Sequence, residues 1–466
     1  MSIRFFRLYL KVPIVLLALI EGALLFFAPY LAASLRFGSE AATRATPSGL
    51  LWPTALLFAT FGVVSLVAVG LYTLRQRAGR TGMALRVVAA VLNAVVLSAI
   101  TFYLVPSLQT DRATIGLTAL IGITSCLIIR LLFERVVDQD TFKRRVLVYG
   151  AGRRAASLLK LRRRSDQRGF RLLGFIATEG DEVSSPAERL VTRPADLYTW
   201  ADQHEVDEIV VAMDDRRRGF PMHELLECRL AGIEVLELAS FLERETGKVH
   251  LDVLNPSWII FGEGFRASLV QRALERAFDL LASLGLLLIS APFMLAAILA
   301  IWIEEGPRAP VLYRQRRVGR YGAEFDVLKF RSMRVDAEQG GRAVWATKDD
   351  PRVTRVGAVI RKTRLDELPQ LINVLRGDMS FVGPRPERPE FVQRFEERIP
   401  YYRERHTVKP GITGWAQLCY PYGSSERDAI EKLQYDLYYV KNRSLLFDLV
   451  ILIQTVEVVV WGKGAR

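Results

Sequence analysis

Two adjacent carboxylates, Asp366 and Glu367, stand inside RKTRLDELPQLINVLRGDMSFVGPRPER, Arg361 to Arg388, with cations crowded on both sides. Paired acids supply hard oxygen ligands for a divalent metal, or a nucleophile, and arginines clamp phosphate oxygens. Arg361, Lys362 and Arg364 precede the pair, and the stiff turn Gly383-Pro384-Arg385-Pro386 after it presents Arg385. The chemistry indicated is that of a phosphorylated substrate held beside a divalent metal. An isolated Asp-Glu pair is ordinarily an N-cap, here Asp366 or Thr363, followed by a solvated first-turn acid. The converging cations favour the site.

The element that must carry the pair is readable nearby. Leu365, Leu368, Leu371, Ile372 and Leu375 fall at helical spacing, and Pro369 is tolerable only in a first turn, where no backbone N–H is required. The spacing predicts a helix beginning near Thr363 to Asp366 and stopping at Gly377. That places both acids at a helix N-terminus, where unpaired N–H groups and the helix dipole stabilise anions and can hold a phosphate.

KFRSM at Lys329 to Met333, DPRVTRVG at Asp350 to Gly357, the LDELPQLINVLRGDMSFVGPRPE stretch and KPGITGWAQ at Lys409 to Gln417 follow one another in order. Together they resemble the successive signatures of the bacterial polyprenyl-phosphate sugar-1-phosphate transferases, in their long exopolysaccharide-initiating form. The resemblance runs from about Arg272 to the C-terminus. It implies transfer of a sugar 1-phosphate from a nucleoside diphosphate sugar, a UDP-sugar, to polyprenyl (undecaprenyl) phosphate, with Mg²⁺ as cofactor. In the implied two-step route Asp366 attacks the phosphate next to the sugar and Glu367 binds the metal or orients the site. Asp366 is carried as a second metal ligand. Lys329, Arg331, Arg361 and Arg385 would neutralise phosphate oxygens. Asp436, in EKLQYDLYYVKN, corresponds to an active-site acid, although a surface ion pair explains it nearly as well.

Composition bounds the setting. The chain has 466 residues, half of them hydrophobic, with a mean hydropathy of +0.18. This suggests a membrane protein carrying soluble parts, in two or three folding units. Lys and Arg outnumber Asp and Glu by 63 to 50, for a net +13. Such a surplus suits nucleic acid, an anionic membrane face or phosphorylated substrates, and membrane segments favour the last two over nucleic acid. Cys126, Cys228 and Cys419 form neither a zinc-ligand spacing nor a disulfide framework.

Four apolar runs, roughly residues 12 to 35, 50 to 74, 84 to 106 and 113 to 133, are each about long enough to cross the hydrocarbon core. Cations gather before the first (Arg4, Arg7, Lys11), around the second connection (Arg75, Arg77, Arg80, Arg86) and at the last exit (Arg130, Arg135, Lys143). The positive-inside rule then places the N-terminus and everything after the fourth helix in the cytoplasm, and the resemblance implies the inner membrane of a bacterium. The first run, lacking a small-residue cleavage site, reads as a retained anchor. Glu21, within it, fits a helix contact or a tilted interface better than an ion site.

A fifth run, about residues 277 to 303, carries Arg266, Arg272 and Arg276 before it and Arg308, Arg314, Arg316, Arg317 and Arg320 after it. Cations at both ends ask for the same membrane face. Pro292 breaks the hydrogen-bond ladder near the middle and Ser290 is placed to satisfy a freed carbonyl, so the helix can bend and return. The resemblance implies such a re-entrant helix. Family members commonly place Ser directly before Pro, whereas Ala291 intervenes here.

Between these parts, RRVLVYGAGRRAASLLKLR (Arg144 to Arg162) reads as strand, glycine turn and helix with Gly150-x-Gly152-x-x-Ala155 spacing. Strand patterns follow at Leu172 to Ala177, Glu208 to Met213 and Ile233 to Leu238, giving a small doubly wound domain to about Phe261. The ribose-binding acid is not clearly placed, Glu179 and Asp181 coming late, which favours a structural or regulatory domain over a dehydrogenase. An alternative, a membrane-tethered nucleotide-sugar dehydratase or epimerase, lacks its Tyr-x-x-x-Lys pair, since no lysine has a tyrosine four residues before it. The Arg314 to Arg320 cluster reads equally as a solvated face or a lip for anionic lipid. Trp415 reads as a packing aromatic, and Leu445 to Trp461 as a helix at the interface or docked on the re-entrant helix.

The expected architecture is a multidomain membrane protein. Residues 1–140 form a four-helix transmembrane bundle, 141–262 a small α/β Rossmann-like cytoplasmic domain, and 263–466 an α+β catalytic domain with a re-entrant membrane helix. Self-association into a homo-oligomer stays open.

Overall fold

The computed structural model describes residues 2–5, 8–38, 46–69, 71–72, 80–137, 143–161, 169–178, 182–215, 219–254, 268–334, 350–420, 423 and 425–460. The chain divides into two compact units, Met1–Gly247 and Lys248–Arg466. The expected boundaries at 140 and 262 fall outside the described residues, as do Glu179, Asp181, Phe261, Trp461 and the orienting cations Arg7, Arg75, Arg77 and Arg266.

The first unit opens with a short antiparallel hairpin, β1 (Ser2–Phe5) and β2 (Leu8–Lys11). Four apolar helices follow: α1 (Val12–Phe37), α2 (Trp52–Ala68), α3 (Arg80–Leu104) and α4 (Arg112–Val137). Apolar stretches long enough to cross a bilayer lie in α1, α3 and α4, at Val15–Phe37, Gly82–Leu104 and Arg112–Phe133. The 17 residues of α2 stand at the lower limit for a span. Leu25, Phe58, Leu66, Val87, Val91 and Cys126 fill the space between the helices, while Leu19, Phe27, Leu56 and Leu120 point outward. An apolar exterior on an apolar core is the pattern of a bundle solvated by lipid.

Glu21 is a helix contact, as its sequence context suggested. It is buried and receives Arg130 of α4, whose Nη2 donates to Oε2 at 2.7 Å, as well as the Tyr72 hydroxyl. Arg130 Nη1 also donates to the Leu71 carbonyl at 3.1 Å. A charge without a partner would not survive in this apolar bundle; the buried Glu21–Arg130 ion pair ties α1 to α4.

The same unit contains a five-stranded parallel sheet, β3 (Arg144–Tyr149), β4 (Phe170–Ile176), β5 (Leu190–Val191), β6 (Glu208–Val211) and β7 (Glu234–Glu237), in the spatial order β5-β4-β3-β6-β7. Order reverses between β3 and β6, the switch point of a doubly wound sheet. The element after the glycine turn is shorter than the sequence suggests: α5 (Arg153–Ala156) is one turn that continues as 3₁₀ through Lys160. The helices α6 (Leu197–Gln203), α7 (Met222–Leu230) and α8 (Leu238–Thr246) complete the layers. Buried Arg244 of α8 pairs with Glu208 at 2.7 Å and Glu245 at 3.1 Å, pinning α8 under the strand starts.

The second unit begins with α9 (Leu269–Glu305), capped by Ser268 and helical through Pro292 for 37 residues. Straight, it would be about 56 Å long. Near one end, Arg276 donates to the Val374 and Leu375 carbonyls, both at 2.6 Å, and Asp279 accepts from Ser380 Oγ at 3.0 Å and Phe381 N at 3.1 Å. Near the other, Ala297 and Ile301 join Phe330 and Ile360 in one core, and Glu304 accepts from Arg355 N and Val356 N. Both ends of α9 are thus clasped by the same α+β body. Between them Leu281, Leu284, Leu288, Ile289 and Phe293 are exposed, Leu288 to 79%. Ser290 Oγ reaches the Leu287 carbonyl at 3.5 Å, not that of Leu288, the one deprived of its N–H by Pro292.

The α+β body is built from an antiparallel hairpin, β8 (Leu312–Val318) and β9 (Glu324–Phe330), followed by α10 (Arg355–Lys362), α11 (Gln370–Arg376), β10 (Ser380–Val382) and α12 (Pro389–Arg398). Then come β11 (Gly411–Thr413), parallel to β10, and α13 (Trp415–Cys419), α14 (Glu426–Asn442) and α15 (Leu445–Val460). Trp415 is a packing aromatic, edge-on to Phe447 at 5.2 Å. Arg317 and Arg320 of the basic cluster hold the Pro386 and Thr407 carbonyls, and Arg316 faces outward.

Candidate active site

The helix start inferred from Pro369 lies too early. Asp366 and Glu367 occupy a 3₁₀ turn, Leu365–Glu367, and Pro369 is the N-cap of α11. Thr363 instead ends α10, and Arg364 turns the chain with φ +61°, left-handed for a non-glycine residue. Gly377 stops α11 at φ +93°, as its position predicted. The N–H groups near the acids are consumed internally: Glu367 N donates to the Arg364 carbonyl and Leu368 N to the Leu365 carbonyl. Side-chain cations, not a helix terminus, therefore stabilise the carboxylates.

Three of them converge on one atom. Glu367 Oε1 lies 3.2 Å from Lys329 Nζ, 3.3 Å from Arg385 Nη2 and 3.8 Å from Arg364 Nη1. Opposite charges about 4 Å apart near a protein surface attract by roughly 4 kcal/mol. Three such partners outweigh the several kcal/mol that a lone carboxylate loses on burial. Burial alone would raise the Glu367 pKa, but Lys329, Arg385 and Arg364 hold it well below the usual carboxylate range.

Asp366 is treated differently. It is buried, and its Oδ1 has no hydrogen-bond partner. Burial, reinforced by the Glu367 charge, pushes its pKa above the ordinary aspartate value, against Lys329, Arg364 and Arg361. Two neighbouring acids thus have pKa values driven apart, one locked as an anion and one with an unspent oxygen, the arrangement by which a site divides roles between like groups.

Four elements bring these groups together. Lys329 comes from β9, which is tied to α11 by buried Asn373: its Oδ1 accepts from Leu328 N at 3.0 Å and its Nδ2 donates to the Asp326 carbonyl at 2.8 Å. Arg385 sits in the loop after β10. There Gly383 N donates to the Thr413 carbonyl and Gly411 N to that of Pro384. A Cβ on Gly411 would lie 2.1 Å from Gly383 N, so only glycine permits the approach.

Beneath that loop, Arg405 Nη2 donates to the Arg385 carbonyl at 3.0 Å while its Nε and Nη2 meet Asp436 Oδ2 at 3.0 and 2.8 Å. Asp436 is therefore a buried partner of Arg405, acting on the site through the backbone of Arg385. Arg331 turns to the Pro310 carbonyl at 2.9 Å. Arg361, in the last turn of α10, reaches Asp366 through its charge. Pro292 lies exposed in the middle of α9, while Ser290, two residues before it, is buried. Arg364 was named in the sequence only as one of the cations before the acids, its pairing with Glu367 depending on a left-handed turn, and Arg405 was not singled out, since its role depends on a contact across the fold.

Among the described residues no three of His, Cys, Asp and Glu gather as a metal cage. Mg²⁺ does not need one, since it keeps waters and substrate phosphates as ligands and uses one or two carboxylates. Asp366, with a buried oxygen lacking a partner, beside Glu367, fits that requirement.

Residues 270–462 match the bacterial sugar transferase family and residues 67–220 a CoA-binding domain. The chain is 42% identical to a UDP-N-acetylgalactosamine-undecaprenyl-phosphate N-acetylgalactosaminephosphotransferase of Aeromonas hydrophila, over 54% of this chain and 58% of the relative. It is 33% identical to an undecaprenyl-phosphate glucose phosphotransferase of Komagataeibacter xylinus, over 69% of this chain and 60% of the relative. It is 31% identical to a UDP-glucose:undecaprenyl-phosphate glucose-1-phosphate transferase of Xanthomonas campestris pv. campestris, over 77% of this chain and 76% of the relative. The match thus spans under two thirds of the first two relatives and three quarters of the third.

Proposed function

The chain belongs to the bacterial sugar transferase family, and from that premise we propose that it moves a sugar 1-phosphate from a UDP-sugar to undecaprenyl phosphate at the cytoplasmic face of the inner membrane. The products are the polyprenyl diphosphate sugar and UMP, the opening step of an exopolysaccharide repeat. The reading is supported by the activities of the relatives. The single observation that carries it is the buried, unpartnered oxygen of Asp366 beside a carboxylate held by three cations.

In the first step Asp366 forms an O–P bond to the phosphorus attached to the sugar, and the bond from that phosphorus to the bridging oxygen breaks, UMP leaving with the electron pair. In the second, an oxygen of the polyprenyl phosphate attacks the same phosphorus and the carboxylate departs. No proton has to move. The obstacle is charge, because an anion attacks an anion twice. Lys329, Arg364 and Arg385, gathered at Glu367, are positioned to share their charge with incoming phosphate oxygens. Mg²⁺ held by Glu367 and Asp366 would supply further neutralisation of the phosphates.

The acceptor is a lipid, so the acids must lie near a membrane surface. With both ends of α9 clasped by one body and its exposed middle apolar, we read α9 as entering and leaving the bilayer by the same face. The test is UMP release from a panel of UDP-sugars with undecaprenyl phosphate. The reading fails if no donor supports release, or if the Asp366→Asn variant keeps near-normal turnover.

A further inference from the structure

The α/β domain belongs to a fold whose name promises coenzyme A, and its Gly150-x-Gly152 turn sits at the switch point where nucleotide pyrophosphates are held. In such folds the glycines leave room for the phosphate and the first N–H groups of the following helix bind it. Here the chain itself occupies that place. Leaving β6, residues 212 to 214 run across the turn. The Asp214 carboxylate accepts from Arg153 N at 2.8 Å through Oδ2 and from Arg154 N at 2.9 Å through Oδ1. These are the two donors a phosphate would need.

The glycines are explained by the same crossing. A Cβ on Gly152 would lie 2.1 Å from Asp214 Oδ2, and one on Gly150 would lie 2.6 Å from the Ala212 carbonyl carbon. Ala212 N donates to the Tyr149 carbonyl at 2.7 Å, fixing the crossing strand at the end of β3. On the opposite side Ser184 N and Ser185 N donate to the Ala151 carbonyl at 2.9 and 3.2 Å, and Arg153 Nη2 pairs with Glu182 at 2.6 Å. The helix that would lend its dipole is a single turn of four residues.

We propose that the glycine cradle of this domain is filled by Asp214, the chain's own substitute for a ligand phosphate, and that the domain takes neither coenzyme A nor a dinucleotide through it. Gly150 and Gly152 serve a backbone crossing that locks β3 to β6. The domain acts as a closed structural module, and the fit its family name implies is absent at this turn. A pyrophosphate would have to expel a carboxylate that makes two charge-assisted hydrogen bonds.

The experiment uses the full chain in detergent, with coenzyme A and NAD⁺ as probes, followed by calorimetry and amide exchange. Neither probe is a donor for the proposed transferase, so the outcome is independent of the catalytic site. The expected result is no saturable heat up to millimolar probe and unchanged exchange at residues 150–156. In the Asp214→Asn variant, the Arg153 and Arg154 amides should exchange about tenfold faster, with strand amides such as Val148 unaffected. Saturable binding of either probe to the unaltered chain, with protection at 150–154, would overturn the proposal. So would unchanged exchange at Arg153 and Arg154 in a folded Asp214→Asn variant. Should that variant not fold, the titration of the unaltered chain still decides.

Discussion

The glycine turn of the first unit and the Asp366–Glu367 turn of the second use the same materials, a carboxylate and several donors, to opposite ends. Asp214 spends both oxygens on backbone N–H groups. At the other turn Glu367 Oε1 gathers three cations, and Asp366 keeps a buried oxygen without a partner. A carboxylate whose lone pairs are satisfied within its own fold contributes to stability; the Asp366 oxygen, left unsatisfied among cations, keeps a lone pair that the fold itself does not use. Motif spacing alone does not separate the two cases, because both turns carry recognisable fingerprints. The destination of each hydrogen bond does.

The comparison breaks most visibly if Asp366 is not the reacting group. Asp366→Asn should lower turnover by at least ~10³-fold while leaving the melting temperature unchanged or slightly higher, since a buried unpaired charge is removed. Retained turnover, measured as UMP release, would sink the contrast. Next in size, Arg405→Ala should cut kcat by roughly 10- to 100-fold through loss of the Arg385 anchor. Asp436→Asn should cost less than this, and the double variant should fall short of the product of the two, because they act as a unit. Full additivity would separate Asp436 from Arg405.

The third prediction concerns pH. Asp366 must be ionised to attack, so activity is lost as pH falls through its folded pKa, which lies above the ordinary 3.8. Burial and the Glu367 charge raise that pKa, so Glu367→Gln should shift the acid limb of the kcat profile to lower pH while reducing turnover about tenfold. An acid limb that stays in place would show that Glu367 does not set the ionisation of its neighbour. Smallest, Asp214→Ala should cost about 1 kcal/mol of stability in the first unit, read from its thermal unfolding, with UMP release unaltered. A loss of transferase activity there would mean the closed turn does more than hold its own domain.

Much of the site could be read in the sequence because its parts lie close along the chain. The acids, the Gly377 stop and the Arg385 loop all fall within one stretch, where composition and spacing speak directly. The strands of the α/β domain were found to within a few residues, as short apolar runs between turns; two-residue β5 was too brief to leave a pattern. What stayed hidden depends on conformation or on distance. Pro369 fits a first turn or an N-cap equally, so the 3₁₀ turn before it could not be distinguished from an early helix start. Arg364 acquires its role from a left-handed backbone. Lys329 was expected from its motif, but the device that places it, Asn373 bridging α11 to β9, joins residues 45 apart. Arg331, from the same motif, points to the Pro310 carbonyl.

One consequence follows from the grip on α9. On the proposed reading, in which α9 enters and leaves the bilayer by one face, it has no anchor in the opposite leaflet, so thickening the bilayer should neither stretch nor tilt it. The helices α1, α3 and α4, each with a stretch long enough to reach from one headgroup layer to the other, would feel such a change. Turnover measured in nanodiscs of increasing acyl-chain length should therefore stay level even where the melting of the N-terminal bundle moves.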